Sequence, residues 1–227
     1  MTKIFFLRKG LMFALISAAF LVLSISSVQA ASDDLYQNLE SVEGAKAAFV
    51  EIDPNADFTV YKRVVLLDTQ VAFRSGWEKD QKRPGSRIGI SKSEVEKIKS
   101  EVSSLFGEVF SEVLAADDGY EIVTESDDDV LLLRTAIIDL DIAAPDTSSS
   151  YSSRTYTNHT GAATLYIELF DSVSGQIIGR AADRQTIRQG GDRFSWSNSA
   201  SNRADATGLF RDWAQALRDF LDKHYSD

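Results

Sequence analysis

Apolar residues return along this chain with two periods, and the changes of period mark its elements. Val95, Ile98, Val102, Leu105, Phe106, Val109, Phe110 and Val113 recur every three or four positions, the stripe of an amphipathic helix. Ser91-Lys92-Ser93-Glu94 has the spacing of a capping box, so that helix is expected to start there and run to about Ala115. Asp117-Asp118-Gly119 ends it, with Gly119 expected in the left-handed position. Phe210, Trp213, Leu217, Phe220 and Leu221 repeat the helical spacing and predict a second amphipathic helix ending near His224.

Elsewhere the period shortens. Val60–Phe73, which contains the solid run Val64-Val65-Leu66-Leu67, reads as a strand covered on both faces. Tyr120–Thr124 and Val130–Ile142 read as further strands. Thr164–Phe170 and Gln176–Ile187 flank Asp171-Ser172-Val173-Ser174-Gly175, a hairpin loop. A run of strands between two helices predicts an α/β (α+β) two-layer sandwich. Its expected core is a mixed five-stranded sheet with both amphipathic helices on one face. The strand order does not follow from the pattern.

Composition changes the picture at the N-terminus. Met1–Lys9 is basic, Gly10–Ile25 is apolar apart from two serines, and Ser26–Ala30 places small residues before a cut after Ala30. That is the layout of a secretory signal peptide, and its apolar core is shorter than a bilayer-spanning helix. Residues 1–30 are therefore expected to be removed, leaving an N-terminal acidic arm over 31–57 and a single α/β domain over 58–227. The product is expected in the periplasm, with no membrane anchor after cleavage. The chain carries 24 Lys and Arg against 34 Asp and Glu, a net charge of −10, and loss of the leader makes it more acidic still. That balance argues against a duplex-coating nucleic-acid binder. With no cysteine, disulfides, thiolate metal sites and lipidated cysteines are excluded.

Two loops carry candidate contacts. In Arg74–Lys92, the cations Arg74, Lys79, Lys82, Arg83, Arg87 and Lys92 surround Trp77, the composition of a patch for an anionic or aromatic partner; the alternative is that Trp77 tucks under the sheet edge and the charges simply solvate the loop. In Asp146–Gly161, Tyr151, Tyr156, Asn158 and His159 stand among serines, an adaptable hydrogen-bonding surface. The Gly190-Gly191 pair reads as a link into the last helix. No catalytic, metal or cofactor motif emerges: there are two histidines, no Gly-x-Ser-x-Gly elbow and no His-Glu-x-x-His. The acidic run from Asp117 to Asp129 lacks the spacing that encloses calcium. The expectation is a non-catalytic binding or accessory module for an envelope protein or component, using Arg74, Trp77, Arg83, Arg87, Tyr151, Tyr156 and His159. The alternative is a periplasmic hydrolase or glycan-acting enzyme using strand-end carboxylates such as Asp139 or Asp141.

Several runs also carry a resemblance. Tyr61–Leu66, Val130–Ile137, Leu169–Gln176 and Trp213–Leu221 come in an order and content similar to the bacterial domain-of-unknown-function family 3313. Leu35-Tyr36-Gln37-Asn38-Leu39 resembles the motif that opens that family's mature region. The resemblance implies an envelope protein, often a lipoprotein. Here the lipid-accepting cysteine is missing, which implies a soluble periplasmic form. It implies no established activity, and its small α/β build is similar to accessory modules of envelope assembly and transport systems.

Overall fold

The computed structural model describes residues 35–45, 47–81, 89–142, 161–186 and 199–225. Packing divides the chain after Gln37: residues 35–37 end the first unit, and the second begins at Asn38. The elements of this second unit are β1 (Glu40–Ser41), β2 (Phe49–Ile52), β3 (Arg63–Leu66), β4 (Gln70–Phe73), α1 (Trp77–Asp80), α2 (Lys92–Ala115), β5 (Glu121–Ile122), β6 (Val130–Asp141), β7 (Ala162–Asp171), β8 (Ile177–Thr186) and α3 (Ser199–Tyr225).

The sheet is mixed, as expected, but has eight strands, not five. They lie in the order β1-β2-β8-β7-β6-β3-β5, with β4 also against β6. Two additional strands come from residues 40–52 of the segment read as an acidic arm. The third arises because Val60–Phe73 is not continuous. It opens with a 3₁₀ turn over Phe58–Val60, then breaks at Leu67–Thr69 between β3 and β4, which pair with successive stretches of β6. The Thr69 and Thr135 hydroxyls meet there at 2.7 Å, and the Ser103 hydroxyl donates to the Thr69 carbonyl at 2.8 Å. Two buried hydroxyls that satisfy each other replace ladder pairing. Strands β3 and β4 run parallel to β6, joined to it by a crossover through α2. The β7–β8 hairpin turns as predicted. Gly175 takes φ +69°, and the Asp171 carboxylate accepts from the Ser174 amide at 2.7 Å.

Helix α2 starts at its capping box: the Ser91 hydroxyl accepts from the Glu94 amide at 3.2 Å, and the Ser91 amide donates to the Glu94 carboxylate at 2.9 Å. Its end differs from expectation. The left-handed residues are Asp117 and Asp118, while Gly119 is needed for space, since a Cβ there would overlap the Leu114 carbonyl and the Arg218 guanidinium. That guanidinium donates to the carbonyls of Val113, Leu114 and Ala116, so α3 satisfies the C-terminus of α2. Ion pairs Glu108–Arg203 and Glu112–Arg211 advance together along both helices, which therefore run in the same sense. Phe106, Phe110, Leu114, Phe210, Trp213 and Leu221 share one buried cluster with Val64, Leu131, Leu133, Ile137, Leu165, Ile167 and Leu169 of the sheet. This is the two-layer arrangement with α2 and α3 on one face.

Across the opposite face, Arg134, Glu168, Arg180 and Glu51 stand in register on four strands. Arg134–Glu168 and Arg180–Glu51 are each 2.5 Å ion pairs, and Tyr166 donates its hydroxyl to Glu168 at 3.2 Å. Donation of its guanidinium N–H to the Glu51 carboxylate raises the pKa of Arg180. Alternating charges directly opposite one another favour this register over a slipped one.

Candidate functional site

The structure corrects the reading of the Arg74–Lys92 loop. Trp77 is 1% exposed, stacks on Phe73 at 3.8 Å between ring centroids, and donates its indole N–H to the Ile142 carbonyl at 2.7 Å. A ring that is both stacked and hydrogen-bonded inside the core offers no face to a partner. Arg74 is committed as well: its guanidinium pairs with Asp141 at 2.7 Å and Asp80 at 2.7 Å, which hold it cationic. Arg83, Arg87, Tyr151, Tyr156 and His159 lie outside the described residues, as does the Gly190-Gly191 link. Of the strand-end carboxylates, Asp141 faces Arg74, and Asp139 sits in a bulge at φ +52° with Arg184 at 3.6 Å. His224 donates Nδ1–H to the Phe220 carbonyl at 2.8 Å and rests against Phe58. Among the described residues, no group of three or more His, Cys, Asp or Glu is placed to hold a metal ion.

The feature that sequence reasoning missed lies between α3 and the sheet. Ile177–Thr186 alternates across the sheet, and the residues of β8 that turn toward α3 are small: Gly179 and Ala181, then Asp183. In register beside them stand Leu169, Ile167 and Leu165 of β7 on one side, with Ile52 and Val50 of β2 opposite Gly179 and Ala181 on the other. Above them, α3 presents Trp213, Ala216, Leu217 and Phe220, the i, i+3, i+4, i+7 face of one helix. Large side chains on the flanking strands hold the layers apart, and the small residues of β8 and α3 do not fill the gap. The result is a cavity of about 150 Å³.

Its walls are apolar apart from Asp183; Glu51 and Arg180 border it from β2 and β8, with their paired side chains on the opposite face of the sheet. Asp183 is already satisfied: Trp213 donates its indole N–H at 2.8 Å, and Gln185 donates at 2.6 Å. Ala47, half-buried, and Ala216, exposed, are also in the lining, which marks the side on which the cavity reaches solvent. The only sequence signal for it was the alternation of small residues along β8.

A second recess, lined by Tyr61, Lys62, Asp118, Gly119, Tyr120, Arg218 and Asp222, is polar and about 270 Å³. Its Arg218 is consumed by the cap on α2, and Tyr61 donates its hydroxyl to Asp171 at 3.1 Å. Burial, followed by the nearby Asp171 charge, keeps that phenol protonated far above its ordinary range. This recess holds the two helices and β3 together.

Fold and cavity together define a two-layer α+β sandwich with an apolar space between its layers. The chain belongs to the family described as protein of unknown function (DUF3313), whose model matches residues 27–217. Among curated proteins, none matches the sequence. Among solved structures, a PelC dodecamer from Paraburkholderia phytofirmans is similar at 12% identity, over 74% of this chain and 96% of that one, with a TM-score of 0.38. A Xanthomonas campestris protein of family DUF330 is similar at 9% identity, over 76% and 93%, with a TM-score of 0.42. A putative neuraminyllactose-binding hemagglutinin homolog from Helicobacter pylori is similar at 12% identity, over 73% and 93%, with a TM-score of 0.31. Likeness at this level carries no argument about ligand or assembly. No helix of the described residues is long and apolar enough to cross a membrane.

Proposed function

We propose that the protein is a non-catalytic binding module of the cell envelope, exported by the leader that ends at Ala30, and that its ligand site is the cavity between α3 and β2, β8 and β7. The observation that supports this is the make-up of the walls. Apolar side chains surround a space the chain leaves unfilled, and the polar groups on its lining are already paired. Such a space takes up an apolar ligand without displacing any protein hydrogen bond, and an engineered cavity of similar size binds benzene. Segment 146–161, with Tyr151, Tyr156 and His159, is proposed as the separate surface that meets an envelope protein. Photoreactive residues in place of Tyr151 and Tyr156 are expected to capture one protein in living cells.

The cavity is tested with benzene as a generic probe of the mature protein. Methyl resonances of Leu165, Ile167 and Leu217 are expected to shift saturably, and Ala181→Leu, which fills the floor, is expected to abolish the shifts. Shifts that persist unchanged in folded Ala181→Leu would place the binding elsewhere and overturn the assignment.

A further inference from the structure

The cavity has a direction as well as a volume. Its floor follows β8 from Ala181 to Asp183, about 7 Å along a strand. Its roof follows α3 from Trp213 to Phe220, about 10 Å along a helix. Toward Gly179 the space is closed: the Leu169 side chain, the Glu51 carbonyl oxygen and the Ile52 side chain stand 3.2, 3.5 and 3.6 Å from where a Cβ on Gly179 would lie. At the other end stands the carboxylate of Asp183, held between Trp213 and Gln185. Sideways it is confined. The large residues of β7 and β2 rise on either side of β8, each strand about 4.8 Å away, which leaves the width of a single chain.

Resting on the reading of the cavity as a ligand site, we propose that it holds one unbranched alkyl chain, with its tail against Leu169 and Ile52 and an uncharged or cationic head group at Asp183. The length of about 7–10 Å set by strand and helix corresponds to an extended chain of about six to eight carbons. The head-group preference follows from charge. An anionic head would meet the Asp183 carboxylate, and the neighbouring cation, Arg180, turns to the opposite face of the sheet, where it pairs with Glu51 at 2.5 Å.

The test is calorimetric titration of the mature protein with 1-alkanols from hexanol to dodecanol and with alkanoates of equal length, alongside benzene. Affinity for the alkanols is expected to rise about fourfold per methylene, the value of burying each one, and to stop rising near eight carbons. Octanoate is expected to bind at least tenfold more weakly than octanol. Ala181→Leu is expected to lose both while its melting temperature holds or rises; Ala216→Phe, which closes the roof instead, serves if that variant fails to fold. An affinity that climbs without a break past eight carbons, or octanoate binding as tightly as octanol, overturns the proposal. If benzene binds and the alkanols do not, the chain assignment falls while the cavity remains a ligand site. If neither binds, both readings fall.

Discussion

Trp77 and Trp213 look alike by burial and hydrogen bonding, yet they do different work. Both are nearly inaccessible, at 1% and 6% exposure, and both donate the indole N–H, at 2.7 and 2.8 Å. The difference is what lies against the ring. Trp77 meets Phe73 face to face, 8° from parallel, and closes the core. Trp213 stands over Ala181 and Asp183 across an unfilled space. Burial therefore does not separate a packing tryptophan from one that walls a ligand site; the size of the residues opposite does. An aromatic ringed by cations in the sequence is the packed one, and the one on an ordinary amphipathic helix faces the void.

Truncation is the bluntest way to break that comparison. Trp77→Ala is expected to cost about 3–5 kcal/mol, because it removes a stacked ring from a filled site and strands the Ile142 carbonyl. Trp213→Ala enlarges a space that is already there and is expected to cost less, about 3 kcal/mol or below. Urea unfolding of the mature protein measures both. Equal losses would mean that the Trp213 site is as tightly packed as the Trp77 site.

Addition tests the same contrast with the opposite sign. Ala163 and Ala181 lie on neighbouring strands and both belong to the helix-facing side, but only Ala181 lines the cavity. Ala181→Leu is expected to stabilise by about 0.5–2 kcal/mol, as cavity filling commonly does. Ala163→Leu, placed in a core with no room for it, is expected to destabilise by about 1–3 kcal/mol. Thermal unfolding of the two variants should move in opposite directions. A loss in both would show that the space beside Ala181 cannot receive three more carbons.

Some of this was open to reading from the chain alone. The capping box at Ser91, the stripe of α2 and the Asp171–Gly175 hairpin rest on interactions within a few residues, and the structure places them where their spacing says. Features that depend on what lies across the sheet were not readable. The break at Leu67–Thr69 is hidden in an unbroken apolar run, because the Thr135 hydroxyl that stabilises it is 66 positions away. Strands β1 and β2 carry Glu40, Ser41 and Glu51, which read as a polar arm until Arg180 is found opposite Glu51. The charged sequence neighbours of Trp77 fit an exposed contact or a tucked ring equally, and its partners, Phe73 and Ile142, decide for the tucked ring. The cavity needs β2, β7, β8 and α3 in register, so Gly179, Ala181 and Ala216 carry no signal individually.

The finest test leaves the rings in place and removes only the indole N–H. In Trp77→Phe, the buried carbonyl of Ile142 loses its side-chain donor, and leaving such a group unsatisfied costs about 1–3 kcal/mol. In Trp213→Phe, Asp183 keeps the donation from Gln185 at 2.6 Å and lies beside a cavity that reaches solvent, so water replaces the lost donor. The expected cost is about 1 kcal/mol or below, the net worth of one replaceable hydrogen bond. Because both substitutions shave the same atoms, the difference between them isolates the environment of the acceptor. A double variant, Trp213→Phe with Gln185→Ala, removes both donors at once. If it costs no more than Trp213→Phe alone, solvent is already serving Asp183, which is the condition for an incoming head group to reach that carboxylate.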